Sequence, residues 1–330
     1  MFMTSKVILF IMTLIMGMML AFLSSSWFGV WVGLELNLLS FIPLIVMSSS
    51  SASVESGLKY FLVQACGSFV MLGSGVIFSS TSVSLISVLV LSLVLKSGGA
   101  PLHGWMPMVV SGMSWMAVGV LFSLQKLVPL ALLWYLNSGS MSTIFALVII
   151  SSVVVGALGG INEMSLRKLL AFSSISHFGW LCLSMSGKAG IWLSYFLSYC
   201  LMVLTLIWVL SERQWFYMSQ ISSVSISSFF LISGAFMSLG GLPPMLGFFP
   251  KWGVLSNSVA GGAIYISLLA VVMSVVTLYY YIRTGMSLML LTSGGQFTLK
   301  QLKFSEILIL VINLLGMWGS GLMWVFSFSH

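Results

Sequence analysis

The sequence predicts an all-α integral membrane protein of about eleven transmembrane helices, two of them discontinuous and related as an inverted repeat. Three observations predict it. Hydrophobic residues make up 59% of the 330-residue chain and charged residues only 5%. Soluble domains carry about a quarter charged residues, so lipid must be the solvent here. Apolar runs, each about the 20 residues of one bilayer crossing, follow one another with short breaks marked by Ser, Gly, Pro or charge. Two of the runs share a Gly-Gly-x-Pro interruption, at Gly98-Gly99-Ala100-Pro101 and Gly240-Gly241-Leu242-Pro243.

Taken in order, the first run, 6–23, follows the single Lys6. Ser24-Ser25-Ser26 then leads straight into another hydrophobic run, so 6–23 reads as a first membrane helix rather than a signal peptide. Run 27–47 carries Glu35, and run 57–80 opens beside Lys59. Run 82–108 is the first interrupted one. Run 113–136 carries Lys126, and 142–160 ends on Gly159-Gly160. Run 166–185 opens at Arg167-Lys168 and carries His177, and 189–210 follows Lys188. Run 226–256 is the second interrupted one, and 262–284 precedes Thr284 to Lys303, the single stretch resembling a water-exposed linker. Run 305–325 is the last. The whole of 1–330 reads as a single polytopic transmembrane domain with no room for a soluble one.

The net charge is +7, from twelve Lys or Arg against five Glu and no Asp. The basic residues stand singly between apolar runs, with no cluster able to track phosphates, which excludes nucleic acid as a partner. Topology accounts for them. With the N-terminus on one side of the membrane, that side collects eight: Lys6, Lys59, Arg167, Lys168, Arg213, Arg283, Lys300 and Lys303. The opposite side collects only Lys188. This is a positive-inside bias, so the N-terminal side is cytoplasmic or matrix and an odd helix count puts His330 across the membrane. Trp and Tyr near helix ends read as interfacial anchors.

Three lysines are left over, and they do not sit in loops. Lys126 falls mid-helix, while Lys96 and Lys251 flank the two interruptions. Glu35 lies eight or nine residues into its helix, about 12 Å deep at roughly 1.5 Å per residue. A charge at the bilayer centre costs about 2.5–3.5 kcal/mol, so these four groups call for partners or a wet interior. Intramembrane ionisable groups mark ion and proton pathways by default. A desolvated ammonium holds its proton less tightly and a neighbouring carboxylate restores that hold, which is the behaviour of a relay element. The structural alternative is an ion pair that only staples helices, or a lysine snorkelling to the interface, which stays open above all for Lys251.

The two interruptions are five helices apart, so their helices cross in opposite directions. Broken helices at matching positions of inverted repeats build ion sites from freed backbone groups and half-helix dipoles. A packing kink is the alternative. His103 follows the first interruption and is a further candidate for a proton path. His177 reads equally as a core histidine. Glu163 and Arg167 are spaced as an i, i+4 pair. Cys66, Cys182 and Cys200 are far apart and match no metal or cluster spacing. No Gly-rich dinucleotide or phosphate loop is present, so the chain is expected to bind no redox cofactor of its own. The 24 methionines, standing where Leu or Ile would serve, point to a mitochondrial genetic code.

Six stretches occur in order: Trp31-Val32-Gly33-Leu34-Glu35-Leu36-Asn37, Lys96 to Pro107, Gln125-Lys126-Leu127-Val128-Pro129, Gly159 to Lys168, Ser173 to Trp180 and Gly240 to Trp252. With them the chain resembles the NADH dehydrogenase subunit 2 family, antiporter-like membrane subunits of respiratory complex I, in their mitochondrially encoded animal form. The resemblance runs from about residue 25 to 285. It implies proton movement along a central polar axis, driven by electron transfer from NADH to ubiquinone in other subunits. It also implies that NADH, FMN, iron–sulfur clusters and ubiquinone are bound elsewhere in the complex. Neighbouring antiporter-like and other membrane-arm subunits are the implied partners, and the inner mitochondrial membrane the implied location. By position, Glu35 is the acid paired with Lys96, Lys126 the middle relay and Lys251 the lysine near the second break, leading to the exit side. One departure stands out: relatives often carry an acid after the Pro of His103-Gly104-Trp105-Met106-Pro107, and here Met108 follows.

Two other readings are weighed against this one. A free-standing cation/proton antiporter for Na⁺ is expected to need more acidic ligands than five glutamates, of which only Glu35 lies deep. A purely structural membrane subunit would use the same charges only to hold helices together.

Overall fold

The computed structural model describes residues 5–77, 83–137, 143–187, 189–223, 226–243, 245–292 and 313. Among them the regular elements are helical, with one isolated bridge pairing Ser165 and Tyr217. The helices fall into two compact units divided at residue 138.

The N-terminal unit holds α1 (Ser5–Leu23), α2 (Trp27–Val46), α3 (Ser51–Ile77), α4 (Val83–Ser97), α5 (Trp105–Gly112), α6 (Trp115–Phe122) and α7 (Leu124–Leu136). The Ser26 hydroxyl accepts from the Gly29 N–H at 3.2 Å and so caps the start of α2. α1 and α2 pack through small residues, as membrane helices do when burial from water no longer drives association. A Cβ on Gly17 would meet the Gly33 carbonyl at 2.9 Å, and one on Gly33 would meet the Ala21 nitrogen at 2.6 Å. α3 then packs on α2, α4 and α5, and α4 on α7.

The C-terminal unit holds α8 (Thr143–Gly159), α9 (Leu166–Ser184), α10 (Ala189–Arg213), a 3-10 turn (Met218–Ser223), α11 (Ile226–Gly240), α12 (Phe248–Ala260) and α13 (Ile264–Thr292). Its centre is α9. Every residue from Ser173 to Ser184 is buried, against α8, α10, α12 and α13. A helix buried on all sides has no polar face to show, and glycine on α8 permits the close packing: a Cβ on Gly156 would meet the Ser176 nitrogen at 2.4 Å. The Arg283 guanidinium donates to the carbonyls of Ile161 and Glu163, tying α13 to the turn before α9.

Several boundaries differ from the sequence reading. Run 113–136 is not one helix: it turns at Ser123, whose hydroxyl takes the Gly119 carbonyl at 2.6 Å. A serine bonded back to a carbonyl four residues earlier bends a helix, and no hydropathy pattern records that. Lys126 therefore lies in the first turn of α7, while remaining near the middle of the Trp115–Leu136 span. The linker expected from Thr284 is helical as far as Thr292, because the stretch after Gly285 is still mostly apolar (Met286, Leu288, Met289, Leu290, Leu291). Glu163 lies ahead of α9, so the helical i, i+4 pairing with Arg167 does not form, and Arg167 lies over the Phe216 ring, 4.5 Å from its centroid. Run 305–325 lies outside the described residues except for Asn313.

Among the described residues, five helical stretches are long and apolar enough to cross a membrane: Ser5–Leu23, Trp27–Val46, Trp115–Leu136 counted across the Ser123 turn, Gly190–Arg213 and Ile264–Met286. The chain is an integral membrane protein.

Candidate functional site

In the N-terminal unit the first Gly-Gly pair ends α4 in a Schellman motif. Gly98 adopts φ +75°, its N–H bonds Leu95 O at 3.2 Å, and the Gly99 N–H bonds Val94 O at 2.9 Å. Only glycine takes that left-handed turn without strain. Lys96 sits in the last helical turn, 7% exposed. Side chains from neighbouring segments satisfy the carbonyls freed at this helix end: Gln64 Nε2 donates to Lys96 O at 3.1 Å and Trp105 Nε1 to Leu95 O at 3.0 Å. The Lys96 ammonium makes no hydrogen bond to a described residue. It interacts electrostatically with Glu35 on α2, without forming an ion pair, and one buried Glu35 carboxylate oxygen has no hydrogen-bond partner among the described residues.

Lys96 lines a small polar cavity of about 10 Å³ with Asn37, Tyr60, Gln64 and Gln125. Three of these form a bridge across α2, α3 and α7. Gln125 Nε2 donates to Asn37 Oδ1 at 2.9 Å, and the Tyr60 hydroxyl donates to Gln125 Oε1 at 3.3 Å. Lys126, the next residue, is 2% exposed and lies 5.7 Å from the centroid of the Phe122 ring. The polar wall of Tyr60, Gln64 and Asn37 is a part of the site that charge counting missed. The signal was present in Asn37 and Gln125, uncharged polar residues inside apolar runs, which transfer scales penalise less than charge.

In the C-terminal unit the second Gly-Gly pair ends α11 in the same way. Gly241 adopts φ +78°, with Gly241 N–H to Ser238 O at 3.1 Å and Leu242 N–H to Met237 O at 3.3 Å. Here a lysine supplies the cap. Lys251, in the first turn of α12, donates from Nζ to Gly240 O at 2.8 Å and lies 5.8 Å from the centroid of the Trp180 ring. A cleft of about 520 Å³ opens beside it, walled by Trp252, Leu255, Val271 and Val275. Asn313 spans the break, accepting from the Ser238 hydroxyl at 2.8 Å and, through its carbonyl, from the Leu246 N–H at 3.1 Å. No sequence motif pointed to Asn313.

His177 is buried in α9 with Nδ1 2.9 Å from the Tyr195 hydroxyl, and its ring lies 5.1 Å from that of Tyr199. Tyr280 and Tyr281 of α13 are buried in the same unit, with hydroxyls that face Ser176 and Ser173 without reaching hydrogen-bond geometry. His103 is placed differently: it is half-buried in the turn between α4 and α5, with Nδ1 3.2 Å from Pro101 O. The structure thus gathers Glu35, Lys96 and Lys126 in one unit and Lys251 and His177 in the other. Each of the three buried lysines sits at a helix terminus: the carbonyl end of α4 favours the cation of Lys96, the first turns of α7 and α12 disfavour those of Lys126 and Lys251, and for Lys251 the Gly240 carbonyl at the end of α11 compensates.

The family model described as NADH:quinone oxidoreductase/Mrp antiporter, TM, matches residues 24–84 and 74–277. The chain is 40% identical over 295 residues to NADH-ubiquinone oxidoreductase chain 2 of Anopheles gambiae, covering 86% of each. The chain belongs to the NADH-ubiquinone oxidoreductase chain 2 family. The family's chain 2 from Locusta migratoria is 35% identical over 319 residues, 94% of this chain and 93% of that one. The Lemur catta chain 2 is 35% identical over 84% of each. Among solved structures, a chain of respiratory complex I from Thermus thermophilus superposes with a TM-score of 0.83 at 24% identity, over 97% of this chain and 79% of that one. A chain of the Mrp complex from Dietzia superposes with a TM-score of 0.75 at 20% identity, over 83% and 59%. The fold of the chain 2 family is thus the antiporter-like membrane fold.

Proposed function

We propose that the chain is a proton-translocating membrane-arm subunit of NADH:ubiquinone oxidoreductase, relaying protons through buried Glu and Lys groups while electron transfer proceeds in other subunits. The observation that carries this reading is the burial of three lysines at helix ends, Lys96, Lys126 and Lys251, at 7%, 2% and 9% exposure. Each carries a cost of about 2.5–3.5 kcal/mol at the membrane centre, and among the described residues Lys96 and Lys251 form no ion pair that would offset it.

The residues act as follows. Glu35 stabilises the charged form of Lys96 through space. The cavity beside Lys96 gives its proton a polar exit toward Gln125 and the first turn of α7. Lys126 takes the proton in the first turn of α7, where the helix amide end disfavours a cation, and passes it on. Lys251 receives charge against the Gly240 carbonyl. His103 is a further relay group at the surface of the first break. The pairs α4–α5 and α11–α12 are two discontinuous spans of an inverted repeat, within a single polytopic domain of about eleven crossings. The redox groups, NADH, FMN, iron–sulfur clusters and ubiquinone, belong to other subunits of the complex. The chain lies in the mitochondrial inner membrane among neighbouring antiporter-like subunits and lipid, with its N-terminus in the matrix and its C-terminus in the intermembrane space.

Native electrophoresis of membranes solubilised in mild detergent, with an NADH-oxidation stain and immunodetection of this chain, tests the assembly. Comigration with a very large NADH-oxidising band is expected. A small band free of that activity contradicts the reading and leaves a free-standing cation/proton antiporter for reconstitution.

A further inference from the structure

The uncharged bridge in the N-terminal unit has a use that the lysines alone do not explain. Asn37, Tyr60 and Gln125 come from α2, α3 and α7, and two hydrogen bonds join them through the Gln125 amide. Asn37 and Tyr60 are each 2% exposed. Interhelical hydrogen bonds of this kind are worth only about 0.6 kcal/mol each in membrane proteins, so as glue they add little. Their placement is more telling. Gln125 walls the same cavity as Lys96, and it is the residue immediately before Lys126 in a first turn that begins at the Ser123 bend.

The cavity has the volume of about one water molecule, and a polar site of that size holds a water when two to four polar partners surround it. Asn37, Tyr60, Gln64, Gln125 and Lys96 supply them. Gln64 donates to the Lys96 carbonyl, and the Lys96 ammonium makes no hydrogen bond to a described residue, so a water held in the cavity would offer it an acceptor. A water there would stand between that ammonium and the Gln125 amide.

We propose that Gln125 is a positioning residue of the relay: clamped between Tyr60 and Asn37, its amide fixes the first turn of α7, and with it the neighbouring Lys126, relative to the water-sized cavity that Gln125 and Lys96 line. This inference rests on the proton-relay reading above. Without the clamp the turn is free to shift, and Lys126 moves relative to the cavity that Lys96 lines although both lysines remain.

The test compares Gln125→Leu, Tyr60→Phe, the double variant and Lys126→Met in assembled complex, reading protons moved per electron alongside the rate of NADH oxidation. The expected result is a fully assembled Gln125→Leu complex whose protons-per-electron ratio falls toward that of Lys126→Met. Tyr60→Phe, which removes one hydroxyl, falls in the same direction, and the double variant falls no further than Gln125→Leu, because both act through one bridge. If Gln125→Leu does not assemble, Tyr60→Phe decides. A wild-type ratio in assembled Gln125→Leu or Tyr60→Phe, with a lowered ratio in Lys126→Met, overturns the clamp and leaves the relay reading standing. A wild-type ratio in Lys126→Met overturns both.

Discussion

The ammonium of Lys251 donates to the carbonyl of Gly240 at 2.8 Å, so a cation in the first turn of α12 caps the C-terminal end of α11. Lys96 is held otherwise. Gln64 and Trp105 take the carbonyls freed at the end of α4, the ammonium makes no hydrogen bond to a described residue, and Lys96 lines the small polar cavity. Two helix ends built on the same glycine turn thus hold their lysines in opposite states: one is fastened to backbone and the other lines a polar cavity.

Replacing Lys251 therefore has two effects that can be read separately. Lys251→Met leaves the Gly240 carbonyl without its charged donor, a loss of about 1.5–3 kcal/mol, and is expected to lower the thermal midpoint of the assembled complex. It is also expected to lower the protons moved per electron. A lowered midpoint at an unchanged ratio would make Lys251 a cap and nothing more.

Alanine at the two turn glycines tests the Schellman geometry. A left-handed conformation costs a residue with a Cβ about 1–2 kcal/mol. At Gly98 the added Cβ meets the flexible end of Met106 at 3.0 Å, whereas at Gly241 it meets Lys251 Cδ at 3.0 Å and Nζ at 3.1 Å. Gly241→Ala is expected to reduce assembled complex more than Gly98→Ala on native electrophoresis, because it also displaces the capping lysine. Equal effects would show that the contact with Lys251 contributes nothing.

Helix packing offers a control pair. Gly33→Leu drives a side chain into the backbone of α1, where a Cβ alone would come within 2.6 Å of Ala21 N, and is expected to abolish accumulation of the chain. Gly73→Ala meets nothing within 4 Å and gains helix propensity of up to about 1 kcal/mol, so its complex is expected to be as abundant as wild type. Immunoblotting of membranes reads both.

The orientation is testable at Arg213, exposed at the end of α10. Arg213→Cys is expected to react with a membrane-impermeant maleimide only in inside-out vesicles, whose matrix face is outward. Labelling in right-side-out mitoplasts would invert the proposed topology.

Much of the fold was legible in the sequence because lipid imposes a simple rule: a run of about 20 apolar residues forms a helix whatever its neighbours. The Gly-Gly-x-Pro stretches were legible for the same reason, since glycine and proline punctuate helices. The Ser123 turn was not, because a serine bonded back to Gly119 O and a serine facing outward look alike in sequence. Nor was the extension of α13 to Thr292 read from the sequence, because Arg283, Thr284 and Gly285 in succession look like a helix end although the apolar run resumes at Met286. At the site, Glu35 and the three lysines stood out because charge is rare at 5% of residues. The Asn37–Gln125–Tyr60 bridge and Asn313 did not stand out. Amides and hydroxyls are common enough to pass as packing until their partners on other helices are known.

The most direct test of a relay through buried lysines is the proton-to-electron ratio of assembled complex carrying Lys126→Met. Inner-membrane vesicles oxidising NADH would be assayed for proton uptake, with native electrophoresis as the control for assembly. The account predicts a fully assembled complex that still oxidises NADH and moves fewer protons for each electron. An assembled complex with the wild-type ratio would contradict it, and would make the buried lysines structural.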